Sequence, residues 1–385
     1  VNFVMNKYRK QFLLDPSITH LNHGSFGATP ISIMDEYSHW QRKLEMNPVD
    51  FIDNQLPNLV QESRHKLSGF LNCDKDDIVY CPNPTTALNT VIRSLNLKAN
   101  DEILTTDHEY GALSRTWNFI CKKTGAKLIE YEVPFPMTNE EDFIDSFLSK
   151  VNIRTKVIFI SHITSPSSIV FPVQKICDYC NEKNIISIID GAHVPGHIPL
   201  DIKSLNPDFY SGACHKWMCS PKGVSFLYAK KSKQDMIEPL IVSWGYEAEK
   251  PSHSQFLDYL QWQGTNDISA YLTIPSVIDN ISDEKWKNKV VVCKENIQKV
   301  RKIILEKFDF TEFSKLNYNL QMHSIVHNFQ IENIKDKFYN NYKIQIPINV
   351  HNNYPYFRFS FHVYNEISEM EKFIDCFEDF MKKSF

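Results

Sequence analysis

The chain has 385 residues, 42% hydrophobic and 23% charged, with a formal net charge of −4. That is enough chain for two domains around a sizeable core, and the composition is that of a globular protein rather than a disordered one. With no basic excess, nucleic acid and anionic membrane are not expected as partners, and short apolar runs such as Ile185 to Ile189 fall far below the roughly 18 residues needed to span a bilayer. The nine cysteines are odd in number and scattered, which points to reduced thiols and a cytoplasmic protein. Val1 to Phe12 mixes Asn, Lys and Arg, so no signal peptide is expected.

Val1 to Asp15 carries a short helical pattern, followed by a turn-rich loop, Leu21-Asn-His-Gly-Ser-Phe-Gly-Ala-Thr-Pro30. Helices are predicted over Ile31 to Glu45 and Leu56 to Leu71. Ile78 to Cys81 reads as a strand, Pro82-Asn83-Pro84 as a turn, and Thr85 to Leu95 as a helix with apolar Leu88, Val91, Ile92 and Leu95. Strand, turn and a Thr-Thr helix start make an anion site, because the first-turn N–H groups are free and the helix dipole favours negative charge. Pro84 lacks an N–H, so Thr85 and Thr86 carry more of that binding. Glu102 to Thr106 is a strand leading into Asp107-His-Glu-Tyr-Gly-Ala112 and a helix to about Lys123.

Lys156 to Ser161 is a further strand, ending in a hydroxyl-rich loop, His162-Ile-Thr-Ser-Pro-Ser-Ser168. Pro172 to Lys183 is a crossover helix on which Cys177 and Cys180 read as ordinary helix cysteines, since a zinc or redox site needs more than one such pair or a different context. Ile185 to Ile189 is a buried strand ending on Asp190. Asp208-Phe209-Tyr210 leads to His215-Lys216-Trp217, and Val224 to Ala229 returns as a strand. Ligands of open α/β sheets sit at the carboxyl ends of strands, so Asp190 and Lys216 share one crevice. A carboxylate and a lysine there suit a pyridinium cofactor: the acid pairs with a ring nitrogen and the lysine forms a Schiff base. Beyond Ser282 a long charged helix, Asp283 to Phe308, precedes a mixed α/β segment. Tyr356 to Phe361 alternates like a strand with Arg358 and Ser360 on one face, and Glu366 to Met381 is a closing amphipathic helix. An arginine fork is the natural clamp for a carboxylate.

Taken in order, Leu21-Asn-His-Gly-Ser-Phe-Gly27, Asn83-Pro-Thr-Thr-Ala-Leu-Asn89, Glu109-Tyr-Gly-Ala112, Asp190-Gly-Ala-His193, Cys214-His-Lys-Trp217, Pro221-Lys-Gly223, Gly264-Thr265 and Arg358-Phe-Ser360 resemble the cofactor site of fold type I pyridoxal 5'-phosphate (PLP) enzymes. Within the class V aminotransferase superfamily the likeness is to the isopenicillin N epimerase-like branch, which includes cysteine desulfhydrases and C–S lyases. The resemblance implies an α/β fold with a large PLP-binding domain (18–275) holding a mostly parallel seven-stranded sheet between helices. A small α/β C-terminal domain (276–385) would pack with an N-terminal arm (1–17). It implies a homodimer in which the Gly264-Thr265 loop reaches the partner's phosphate. Lys216 is the Schiff-base lysine and general base, Asp190 holds the pyridine nitrogen, and His193 meets the phenolic oxygen. Thr85, Thr86 and His215 bind phosphate, Tyr110 stacks on the ring, and Ser165 or Thr164 faces the phenolic oxygen. Related desulfurases have Ser where this chain has Ala213, with Ser211 expected to compensate. Arg358 and the Asn22-His23 loop contact the substrate.

This set serves β-lyases, epimerases, transaminases and desulfurases alike, through a Schiff base and a quinonoid. A desulfurase needs a nucleophilic cysteine ahead of the carboxylate arginine, and none lies between Cys293 and Cys376. Only Cys214 or Cys219 remain for that role. The preferred reading is C–S β-elimination on a cysteine-type amino acid, which needs no second base. Epimerisation would recruit His193, His108, Tyr110 or a loop residue, and transamination ranks third. A non-enzymatic PLP-binding protein and a zinc enzyme built on His162, His193, His197 and His215 rank below these, and no metal is expected.

Overall fold

The computed structural model describes residues 7–316, 318–328 and 334–384, with side chains omitted at 381, 383 and 384. Thirteen strands are present among these residues. They are β1 (Thr19–His20), β2 (Ile78–Cys81), β3 (Glu102–Thr106), β4 (Lys127–Tyr131), β5 (Thr155–Ser161), β6 (Ile186–Asp190), β7 (Phe209–Ala213), β8 (Ser225–Ala229), β9 (Thr311–Glu312), β10 (Met322–Val326), β11 (Ile344–Gln345), β12 (Ile348–His351) and β13 (Tyr354–Ser360).

The main sheet has seven strands in the order β2-β8-β7-β6-β5-β3-β4. Only β8 runs antiparallel to its neighbours; the other pairings are parallel. Its central strands are apolar on both faces: Val157 to Ile160, Ile188 and Ile189 are fully buried. That double burial is why they read as continuous apolar runs rather than alternating ones. Helices Pro84–Ser94, Gly111–Thr124 and Val173–Lys183 supply the crossovers. Edge strand β4 and helix Glu140–Leu148 have no counterpart in the sequence reading. β4 exposes Lys127 and Glu130, and charged edges of this kind hide a strand's apolar signal while discouraging edge pairing.

A second, antiparallel sheet has the order β12-β13-β10-β9. The chain's beginning is tied to this end of the molecule. β1 pairs in parallel with β11, and the Ser360 N–H donates to the Leu21 carbonyl. The described part of the first fifteen residues holds one short 3-10 turn, Arg9–Gln11; residues 1–6 lie outside the described residues. Most predicted bounds agree within two residues. The helix expected from Thr85 begins at Pro84, with Asn83 as its cap, because proline is favoured at the first helical position.

Candidate active site

The site lies at the carboxyl ends of β5 and β6, beyond β7, where three loops meet. Asp190 ends β6, and Lys216 follows β7 by three residues. Two glycines press the Lys216 loop into place. Gly27 has φ +70°, and a Cβ there would lie 2.0 Å from the His215 carbonyl oxygen. Gly196 has φ +79°, and its Cβ would lie 2.7 Å from the Trp217 carbonyl carbon. Only glycine satisfies both the left-handed backbone and the close approach. The turn-rich loop near the N-terminus therefore packs directly on the lysine's backbone.

The Lys216 amine is 3.0 Å from His193 Nε2. Burial pushes its pKa down to about 7, the Arg358 guanidinium pushes the same way, and Asp190 opposes both. Asp190 is buried and its carboxyl is raised by that burial, against the pull of the Ala192 N–H and of Lys216. One of its oxygens accepts the Ala192 N–H at 2.9 Å, which leaves the other for a ring N–H. Burial also lowers Arg358, which donates to the carbonyl and hydroxyl of Ser165 and, at 3.0 Å, to the Ser25 hydroxyl. Lys216 thus stands between the Arg358 charge, which favours its neutral form, and the Asp190 charge, which opposes it.

Several expected residues are placed differently. Ser165 serves Arg358. Thr164 is fully buried and bonded to Ser167 and the Ile169 N–H, so neither of its polar contacts is with the crevice. His23 is buried within a cluster rather than presented to substrate. Its Nε2 is 3.0 Å from the Lys216 carbonyl, its Nδ1 is 3.0 Å from the Tyr364 hydroxyl, and its ring stacks on His362. Asn22 accepts from the Ser25 hydroxyl and so supports Arg358 at one remove. Thr86 gives both its N–H and its hydroxyl to Asn83, so Thr85 is the first-turn threonine that Asn83 does not engage. His215 Nδ1 donates to the Val224 carbonyl at 2.9 Å. In the neutral ring this leaves Nε2 bare, so it would reach a phosphate as a donor only by taking up a proton. Ser211 donates to the Phe226 carbonyl and is fully buried, so it does not compensate for Ala213. Tyr110, half exposed, stands at the start of helix Gly111–Thr124. Thr265 lines a cavity of about 630 Å³ with Val49, Ile52, Trp244 and Trp262.

Cys214 and Cys219 are fully buried, and burial raises both thiols. A thiol held neutral and out of reach is no sulfur acceptor. His23, Cys219 and His362 bring three ligand-type atoms within 4.8 Å of one another. The two imidazoles stack at 3.8 Å and 16°, so their in-plane lone pairs lie in nearly parallel sheets and do not converge on one ion. His193 and His197 stand at the spacing of helical zinc ligands, but Pro195-Gly196 form a turn between them. His197 spends both nitrogens on the His193 carbonyl and the Gln321 N–H.

Glu109 is the acid whose role the sequence did not reveal. It is buried, takes hydroxyl contacts from Thr106 and Ser161 at 2.6 Å each, and is pushed up to about 8 by burial, with Asp190 adding to the rise. Ser161 pairs with Asp190 across β5 and β6. Ser25 was missed as well; its only sequence signal was the Asn22-to-Gly27 motif.

A partly buried lysine, a strand-end carboxylate, an arginine clamp and a helix start beside a seven-stranded, mostly parallel sheet define a fold type I PLP enzyme. The chain belongs to the aminotransferase class-V family, which it matches over residues 28–373 and whose members depend on PLP. It is 32% identical over 283 residues to isopenicillin N epimerase of Amycolatopsis lactamdurans, covering 70% of this chain and 71% of that protein. It is 29% identical over 285 residues to putative L-cysteine desulfhydrase 1 of Oryza sativa subsp. japonica, covering 70% of this chain and 58% of that protein. Among solved structures, the cysteine desulfurase CsdA of Escherichia coli superposes with a TM-score of 0.81 at 17% identity, covering 98% of this chain and 99% of that one.

The donor set fits PLP. Lys216 suits its aldehyde, the free Asp190 oxygen its ring nitrogen, His193 its hydroxyl and Thr85 its phosphate, while Arg358 remains for a substrate carboxylate.

Proposed function

We propose that the chain is a PLP enzyme acting at Cα of an amino acid, and that its reaction is β-elimination of the C–S bond of a cysteine-type substrate. The cofactor, when bound, supplies the electron sink for the charge released at Cα. Lys216, half neutral near pH 7, takes the Cα proton. Asp190 keeps the ring nitrogen protonated, and Arg358 holds the substrate carboxylate and so orients the Cα bonds. The C–S bond would break with its electron pair on sulfur, and the thiolate would leave as the thiol with the proton that Lys216 had taken from Cα. The 2-aminoacrylate product hydrolyses to pyruvate and ammonia.

The observation that carries this reading is the partly buried amine of Lys216, whose histidine neighbour sits on that same amine. Persulfide transfer is disfavoured by the burial of Cys214 and Cys219. The epimerase relative supports a second reading, which needs another base. His108 is buried with Nδ1 on Ser167 at 2.7 Å, so that reading turns to Tyr110 or a loop residue.

The holoenzyme should be offered L-cysteine, a cysteine conjugate and simple L-amino acids in turn. Pyruvate with a released thiol is expected. Loss of optical rotation with no keto product would replace the lyase by the epimerase.

We further propose a cytoplasmic homodimer, with Gly264-Thr265 serving the partner's phosphate. The exposed apolar side chains Val49, Val242 and Trp244, at 70%, 67% and 87% exposure, lie on or near the cavity that Thr265 lines and support a second copy there. A monomer by sedimentation at working concentration would remove that part. We take 18–275 as the cofactor-binding domain and 276–385 with the 1–17 arm as the smaller one; the β1–β11 pairing supports that grouping.

A further inference from the structure

The hydrogen bonds behind Lys216 run between groups whose polarity is decided by chemistry. Trp217 Nε1 carries a hydrogen and has no lone pair to offer, and it lies 3.3 Å from His193 Nδ1. His193 Nδ1 is therefore the acceptor, and the proton of the neutral ring sits on Nε2. That Nε2 is the atom 3.0 Å from the Lys216 amine.

We infer that Trp217, steadied by His197, is a positioning residue that fixes His193 as its Nε2–H tautomer and so aims an N–H into the crevice at Lys216. The inference rests on the proposed role of Lys216 and His193 and deepens it. An imidazole N–H facing a lysine amine is a hydrogen bond only while the amine has a free lone pair. A protonated lysine would set donor against donor. The tautomer thus favours the uncharged lysine, and after Lys216 is engaged it presents a donor to a cofactor hydroxyl.

What holds Trp217 is equally directional. The His197 ring stacks on it at 3.9 Å and 19°. The Gln321 backbone N–H donates to His197 Nε2 at 2.8 Å, so His197 carries its own proton on Nδ1 and gives it to the His193 carbonyl at 3.0 Å. Gln321 immediately precedes β10 of the second sheet and is bonded to Phe361 through its carbonyl and its side-chain amide. Gly196 closes the arrangement by resting against the Trp217 backbone. Because His197 bonds the backbone of His193 and not its ring, the chain conveys orientation and not a proton.

A tryptophan that merely fills space beneath the lysine loop would tolerate loss of its N–H. The test uses cofactor-free protein labelled with ¹⁵N-histidine, with His193 signals assigned by their disappearance in His193→Gln. The wild type should show the Nε2–H pattern. Trp217→Phe should bring in the Nδ1–H form. Replacing Trp217 by benzothienylalanine, which keeps the ring size and exchanges N–H for sulfur, should do the same with the fold intact by circular dichroism. In the loaded enzyme kcat should fall about tenfold with KM within about twofold, and the pH midpoint of the visible band should move. An Nδ1–H wild type, or a benzothienylalanine protein with the wild-type pattern, would overturn the inference. A protein that shows the predicted tautomers and binds no PLP would defeat the proposed function and leave the tautomer assignment standing.

Discussion

The amine of Lys216 titrates near 7 instead of its ordinary 10.5, and this sets the pH at which it captures an aldehyde. At pH 7 about half of it is neutral, against roughly 0.03% of an ordinary lysine, a gain on the order of 10³ in reactive amine. Burial supplies most of the shift, Arg358 adds to it and Asp190 subtracts. Removing the Asp190 charge as Asp190→Asn should therefore move the midpoint lower still, by on the order of one unit, since a buried opposite charge within reach has that scale of effect. The assay is the rate of visible-band formation when cofactor-free protein is mixed with PLP across the range from about pH 5.5 to about pH 9.5, with Lys216→Ala as the blank. The wild-type rate should rise about tenfold per pH unit at the acid end and level off above about pH 7.5. Comparing variants in the same buffers cancels the cofactor's own titration. A rate still climbing tenfold per unit at about pH 9 would show an ordinary lysine, and the electrostatic account of the site would be wrong.

Arg358→Ala should raise KM for carboxylate-bearing substrates roughly 10- to 100-fold, the scale of a lost hydrogen bond to a charged group; an unchanged KM removes Arg358 from that role. Glu109 has a folded pKa of about 8 against an ordinary 4.5, so the folded state holds a proton that the unfolded chain releases. Its cost to stability grows as pH rises from 4.5 and saturates above 8, at roughly 5 kcal/mol; Glu109→Gln should gain stability over wild type in urea at alkaline pH and lose that gain below about pH 5. Gly27→Ala should cost about 2–4 kcal/mol and weaken PLP retention more than it lowers the urea midpoint, because its Cβ strikes the His215 carbonyl.

The main sheet was legible because strands buried on both faces print as apolar runs between turns, as in Val157 to Ile160. Asp190 and Lys216 were legible because strand ends gather ligands in this architecture. What escaped were the residues whose role depends on a neighbour brought from far along the chain. Ser25 matters through Arg358, 333 residues on. His23 sits in the loop expected to meet substrate, yet its ring is taken by Tyr364, 341 residues away. Thr86 was lost to local chemistry: Asn83 three residues earlier caps the helix and occupies its donors. A polar side chain shows what it can bond and not which partner reaches it first. Glu109 is the extreme case, since its raised pKa comes from burial and from a carboxylate on another strand.

The placement of Arg358 explains why the two ends of the chain are bound together. Arg358 lies on β13 of the second sheet, and its guanidinium reaches Ser165 after β5 and Ser25 in the N-terminal loop. Gly27 of that same loop rests on the backbone at His215 and Lys216. The carboxylate clamp and the reactive amine are thus positioned by one short segment, itself anchored where β1 pairs with β11 and where Ser360 bonds Leu21. A shift of the second sheet would move Arg358, the 22–27 loop and the Lys216 backbone together, and through Gln321 and His197 it would move His193 as well. A substrate carboxylate held by Arg358 is thereby placed by the same segment that sets the Lys216 backbone, so recognition and the reactive amine share one support.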